Sequence, residues 1–130
     1  MPAKTSKKST SKVAPIQAVH KLDATDQILG RLACRAVLLL TGKDRPDFQY
    51  HIDAKSSVLI TNAAKVKITG KKLLQKEYYH YSGYPGGLKA RKMSAVFAKN
   101  PAEVLKLTVW NMLPKNKLRA QMIKRLKISN

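Results

Sequence analysis

Apolar residues recur along this chain with two different periods, and the switches between them mark out its elements. Gln17 to Asp23 alternates Ala18, His20 and Leu22 with Val19 and Lys21, which predicts a strand entering a core. A 3.6-residue period follows, with Ile28, Leu29, Leu32, Ala33, Ala36, Leu39 and Leu40 on one face of a helix over residues 26 to 41. Thr25 and Asp26 offer N-cap oxygens for that helix, and Gly42 offers a stop. Ser57 to Thr61 holds Val58, Leu59 and Ile60 in a row, a pattern of buried rather than half-exposed strands. Strand, helix, strand in that order predicts parallel pairing through a right-handed crossover, and hence an α/β sheet with helices packed against it. Val66 to Thr69 adds a short candidate strand before Gly70.

The second half is less regular. Lys71 to Lys76 reads as a basic loop, followed by the aromatic run Glu77-Tyr78-Tyr79-His80-Tyr81. Ser82-Gly83-Tyr84-Pro85-Gly86-Gly87 is a loop whose glycines permit positive φ and close backbone approach. Leu88 to Lys92 returns as an extended segment and Ser94 to Lys99 as a short helix. Asn100-Pro101-Ala102-Glu103 starts another helix, with a capping Asn, Pro at the first position and an acid in the first turn. Its stripe of Leu105, Val109 and Met112 ends near Pro114. Leu118, Met122 and Leu126 line one side of a final helix, with Lys117, Lys124 and Lys127 on the other, a basic face suited to RNA phosphates.

Charge changes this picture more than composition does. A chain of 130 residues suits one domain, here residues 17 to 130, preceded by a flexible basic arm over residues 1 to 16. Against 26 Lys and Arg stand 7 Asp and Glu, for a net charge of +19. The excess is uneven: residues 1 to 16 carry +4, residues 17 to 65 only +2, and residues 66 to 130 carry +13. A near-neutral scaffold is thus joined to a basic second half, and a polyanion bound there relieves the self-repulsion and releases counterions. The longest apolar run, Ala36 to Leu40, is far short of the ~20 residues a membrane span needs, so no membrane partner is expected. The single cysteine, Cys34, cannot form an internal disulfide, and no Cys/His spacing suggests zinc, so neither metal nor cofactor is expected and a reducing compartment fits. The first residues lack a secretory apolar segment. They are basic and free of acids, as organellar transit peptides are, but carry Lys where such peptides favour Arg, which favours a retained arm.

Few residue groups suggest chemistry. Arg31 and Arg35 lie one turn apart at the flank of the apolar stripe, where both can grip phosphate or stand exposed without a partner. Cys34 beside them has no nearby His to make it a nucleophile. His51 and Asp53 form an i, i+2 pair for which no third group or pocket is visible, so a local hydrogen bond or turn contact is favoured over acid–base work. A small hydrolase using that pair is the enzymatic alternative. The Tyr78 to Tyr84 segment, flanked by Lys71, Lys72, Lys76, Lys89, Arg91 and Lys92, joins rings that stack on unpaired bases to cations that hold phosphates. Strand alternation would send about half of these tyrosines into the core. The glycine turn lacks P-loop spacing, so no small-molecule substrate is expected there.

Taken in order, several segments resemble the bacterial and organellar large-subunit ribosomal protein family thirteen. They are Leu29-Gly30-Arg31-Leu32-Ala33, His51-Ile52-Asp53, Asn62-Ala63, Thr69-Gly70-Lys71-Lys72, Tyr78-Tyr79-His80 through Ser82-Gly83 to Gly86-Gly87-Leu88-Lys89, and Met112-Leu113-Pro114-Lys115-Asn116. The resemblance spans roughly residues 17 to 128 and departs at Asn111 and at Arg119-Ala120, at the lysine-rich arm, and in stopping at Asn130. It implies a three-layer α/β/α core with a mostly parallel sheet, and a non-enzymatic role in the large ribosomal subunit of the cytoplasm. The implied partners are ribosomal RNA and neighbouring ribosomal proteins, with autonomous regulation through messenger RNA as the alternative. On the matching positions, Arg31, Lys71, Lys72, His80, Gly86, Gly87, Lys89, Lys115 and Asn116 are the implied RNA contacts. The residue reading adds Arg35, Arg91, Lys117 and Lys124.

Overall fold

The computed structural model describes residues 18 to 130, so the predicted basic arm over residues 1 to 16 lies outside the described residues. Strand β1 (Val19–Asp23) pairs in parallel with β2 (Ser57–Thr61), His20 beside Val58 and Leu22 beside Ile60. Between them runs helix α1 (Leu29–Thr41). On its other side β2 pairs in parallel with a short final strand, β5 (Leu126–Ile128), which sets Val58 against Leu126 and Ile60 against Ile128. The α/β class and the mostly parallel sheet are as predicted.

Burial follows the pleat. Val58, Ile60 and Leu126 are buried with the residues at matching pleat positions, His20, Leu22 and Ile128, half-buried, and this face meets Leu32, Ala33, Ala36 and Leu40 of α1. The same core takes Leu105 and Val109 from helix α4 (Pro101–Met112), Leu113, and Met122 from helix α5 (Leu118–Lys124). On the opposite face Val19, Lys21, Asp23 and Lys127 are exposed, and only Ser57, Leu59 and Thr61 of the central strand are half-buried. The helical cover that a three-layer arrangement puts there is therefore thin among the described residues.

Element ends differ from the sequence reading for local reasons. Helix α1 starts at Leu29, three residues later than predicted, because Asp26 sits at φ 55° and the backbone of residues 27 to 29 instead bonds Lys67, its N–H to Gln27 O at 2.9 Å and its carbonyl from Leu29 N at 3.0 Å. The expected N-cap oxygens are not used. Asp23 supplies the local turn instead, accepting from the Thr25 amide and hydroxyl and, across the strand ends, from Asn62 Nδ2 at 3.0 Å. The Asn62 hydrogen bond, then those from Thr25, hold the Asp23 carboxyl below its ordinary value. Residues 66 to 69 make a single bridge, Lys67 with Ile28, and no full strand.

The predicted C-terminal stop of α1 is present. Gly42 has φ 77° and donates to Leu38 and Leu39 carbonyls, and a Cβ there would collide with Ala54 Cβ. Asn100 caps α4 as predicted, its Oδ1 accepting from Ala102 N–H at 3.1 Å with Pro101 in the first turn. Helix α5 ends at Lys124, so Leu126 and Lys127, predicted as helical, belong to β5.

Candidate nucleic-acid interface

Residues 72 to 75, read as loop, form a single helical turn, α2 (Lys72–Gln75), preceded by Lys71 and Gly70. It leads into a separate two-stranded antiparallel hairpin, β3 (Glu77–Tyr81) and β4 (Leu88–Lys92), which continues directly into helix α3 (Met93–Lys99). Met93 N–H donates to Lys76 O at 2.9 Å, closing the hairpin base. Met93, Val96 of α3 and Val104 of α4 make a second small core, onto which Leu29, Ile68, Phe97 and Tyr78 pack.

Register assigns the hairpin two faces, since directly paired residues project to one side and successive residues alternate. Tyr78 lies opposite Arg91 and His80 opposite Lys89. Glu77 lies opposite Lys92, Tyr79 opposite Ala90 and Tyr81 opposite Leu88. The first face is the anchored one at its base: Tyr78 packs on the second core, and Arg91 approaches Glu103 of α4 at 3.9 Å. Burial and then the Glu103 charge push the Tyr78 phenol up. Farther out on that face, His80 and Lys89 are both exposed. Of the tyrosines expected to divide between core and solvent, Tyr78 alone packs inward; Tyr79, Tyr81 and Tyr84 are exposed.

The turn explains its own glycines. Gly86 has φ 73°, and a Cβ on Gly87 would collide with Ser82 Oγ and press on Tyr84 O at 3.0 Å. Their backbone can still meet a ligand, but the turn requires them first.

A second basic region surrounds the exposed flank of α1. Arg31 and Arg35 are both exposed, and Cys34 between them sets its Sγ 3.8 Å from Met112 Sδ at the end of α4. The chain then passes through Leu113, buried, to exposed Lys115, Asn116 and Lys117. The thiol contact thus sets Cys34, between the two arginines, against the end of α4 from which the segment carrying Lys115 and Lys117 departs. Asn116 acts locally, its Oδ1 accepting from Arg119 N–H at 3.1 Å at the start of α5. Lys124 is exposed at the other end of α5, in a shallow cleft with Lys55, Gln121 and the Asp53–Arg125 pair, away from that loop.

Two contacts that hold α5 are not visible in the sequence. Arg125 forms a two-pronged ion pair with Asp53 at 2.5 and 2.6 Å, and its Nε donates to Ser56 O at 3.1 Å. Burial pushes the Asp53 carboxyl up, but the Arg125 hydrogen bonds, the Lys55 amide and the Arg125 charge outweigh it and hold the group below the ordinary carboxylate value. Arg119, which falls on the apolar side of the predicted helix, lays its guanidinium 3.9 Å from the Trp110 ring centre and donates to the Trp110 carbonyl. The His51–Asp53 pair has no shared chemistry: His51 is exposed, while Asp53 is committed to Arg125 and to the Lys55 amide.

No helix among the described residues is long and apolar enough to cross a membrane. The sequence profile of the family described as Ribosomal protein L13 matches residues 17–129. Similar proteins carry the name large ribosomal subunit protein uL13. That of Thermobifida fusca is 50% identical over 109 residues, 84% of this chain and 73% of that protein. That of Kocuria rhizophila is 48% identical over 109 residues, 84% of this chain and 74% of its own length. The Aquifex aeolicus protein is 43% identical over 122 residues, 92% of this chain and 85% of its own length. The match runs from the first sheet strand through the hairpin to the last strand, and on that ground this chain belongs to the ribosomal protein L13 family.

Proposed function

We infer that this chain is a structural constituent of the large ribosomal subunit in the cytoplasm, where it binds ribosomal RNA, contacts neighbouring ribosomal proteins and supports subunit assembly and translation. One observation carries the reading: in a family of ribosomal proteins, the basic side chains of residues 66 to 130, which give that segment its +13 charge, are all exposed except Arg119 and Arg125 and so stand outside the packed core. Phosphate contacts from Lys and Arg supply most of the affinity, and the fixed shape of the body supplies most of the specificity. The contacts fall into two groups. Lys71, Lys72, His80, Lys89 and Arg91 act from the hairpin and α2, with Gly86 and Gly87 allowing close backbone approach. Arg31, Arg35, Lys115 and Lys117 act from the α1 flank, with Asn116 shaping the loop and Lys124 as an outlying contact. Arg91 is drawn partly toward Glu103, a long solvent-accessible pair that costs little to open. No acid–base role falls to His51 or Asp53.

Gradient sedimentation of ribosomal subunits from cells making a tagged copy tests this reading. The protein is expected in the large-subunit fraction and to resist moderate salt washing; a folded protein that stays at the top of the gradient overturns it.

A further inference from the structure

The hairpin face opposite the anchored one has no partner within the described residues. Tyr79 is 66% exposed, Tyr81 60% and Leu88 59%, and the register places all three on one side with Ala90. Because Tyr78 and Arg91 fix the other side against α3 and α4, this side is turned away from the body. Two rings two residues apart in a strand stand about 7 Å from each other along the chain. Tyr79 is further restrained, its hydroxyl donating to Glu77 Oε2 at 2.9 Å, so it loses little freedom on meeting a ligand. Ala90, directly across from Tyr79, leaves room above the sheet.

The surroundings decide what suits such a face. Lys92 shares this face, while Lys76, its Nζ 5.6 Å from the Tyr78 ring centre, and His80, Lys89 and Arg91 stand on the anchored side of the same hairpin, and every residue of β4 is exposed. A protein docking its apolar surface here would have to cover or neutralise Lys92 and approach a two-stranded hairpin whose other side carries four more basic side chains. A nucleic-acid strand satisfies both features, with bases on the rings and phosphates on the lysines. Within a duplex the base faces are already stacked on one another, so rings on a sheet can meet only bases that are splayed out.

We propose that the Tyr79, Tyr81 and Leu88 face is a stacking platform for unpaired nucleotides of RNA. This rests on the RNA-binding reading above and specifies it: the hairpin engages a loop, bulge or single-stranded junction, and leaves duplex phosphates to the α1 flank and the 115–117 loop.

The test uses the full chain and two probes, an oligouridine and a blunt RNA hairpin stem of equal phosphate number, titrated at several salt concentrations. Tyr81→Ala and Tyr79→Ala are each expected to weaken oligouridine binding roughly 5- to 100-fold, the equivalent of ~1–3 kcal/mol for one base–ring stack. The slope of affinity against salt should not change, and binding to the stem should shift less than about twofold. Tyr81→Phe, which keeps the ring, should bind as the unsubstituted protein does. Equal oligouridine affinity for Tyr81→Ala, Tyr79→Ala and the unsubstituted chain overturns the platform. If Lys89→Ala still weakens binding in that case, RNA binding survives and only the platform falls. Loss of incorporation into the large subunit by Tyr81→Ala, with oligouridine binding intact, also overturns it and assigns the face to a protein neighbour.

Discussion

The α1–sheet core and the β3–β4 hairpin are built on opposite terms. In the core, Leu32, Leu40 and Ile60 have no solvent exposure, and the segment that supplies most of it, residues 17 to 65, is nearly neutral. In the hairpin all residues of the two strands but Glu77 and Tyr78 are exposed, and the apolar residues beyond these two face solvent. The core is specified from within the chain, by the area its own side chains cover. The hairpin keeps its shape through register, turn glycines and one anchored tyrosine, and its outward residues are under no internal packing constraint. Substitutions should therefore separate the two regions, with stability responding in one and affinity in the other.

The largest effect belongs to the core. Leu32→Ala removes a fully buried side chain and should cost ~2–5 kcal/mol in urea unfolding, with any loss of RNA affinity recovered when the unfolded fraction is accounted for. Next comes Asp53→Asn, which leaves the Arg125 guanidinium short of its partner with side chains only 20% and 13% exposed; a loss of ~2–4 kcal/mol is expected, lessened by that residual access to water. The same pair has a pH signature. The Asp53 pKa is lower in the fold than in the unfolded chain, so its contribution is complete above about pH 4 and is lost as pH falls through the folded value. Asp53→Asn should flatten the acid limb of the stability curve, and an unchanged limb would show that the pair contributes nothing. Gly42→Ala places a methyl group into Ala54 at a positive φ and should cost ~1–3 kcal/mol by thermal unfolding. Smallest in stability is Lys89→Ala, within about 0.5 kcal/mol, yet it should lower the salt slope of RNA binding by about one. A substitution at an exposed hairpin residue as costly to stability as Leu32→Ala would erase the distinction.

The same contrast explains how far the sequence could be read. Where burial dictates residue type, the pattern is plain: Val58 to Ile60, the α1 stripe, the Asn100-Pro101 start and the Gly42 stop all fall where periodicity and capping place them. Errors lie where distant partners override local preference. Leu118, Met122 and Leu126 keep helical spacing, but pairing with β2 and the reach of Arg125 to Asp53, 72 residues away, turn Leu126 into a strand. Asp26 looks like a cap, yet Lys67 claims the backbone beside it. For the interface, the sequence located the basic second half and the tyrosine-rich segment, but neither its antiparallel pairing nor the division of the resulting hairpin into an anchored and a free face. That division depends on a register set by the turn and on one contact, Tyr78 with the second core. Nor could spacing show that Cys34, between Arg31 and Arg35, would meet Met112 at the end of α4.

The position of β2 has a consequence for synthesis. Its partner on one side, β1, and the intervening helix precede it, so that half of the sheet can form once residue 61 has left the ribosome. Its other partner spans residues 126 to 128. At ~5–20 residues per second, residue 126 follows residue 58 by roughly 3 to 14 s, a long interval beside the microseconds to seconds in which small domains fold. Through that interval the β2 edge bearing Val58 and Ile60 is open, and an open apolar edge invites pairing with another chain. Closure of this sheet is thus timed by the translation of residues 126 to 128, whose arrival covers the open edge.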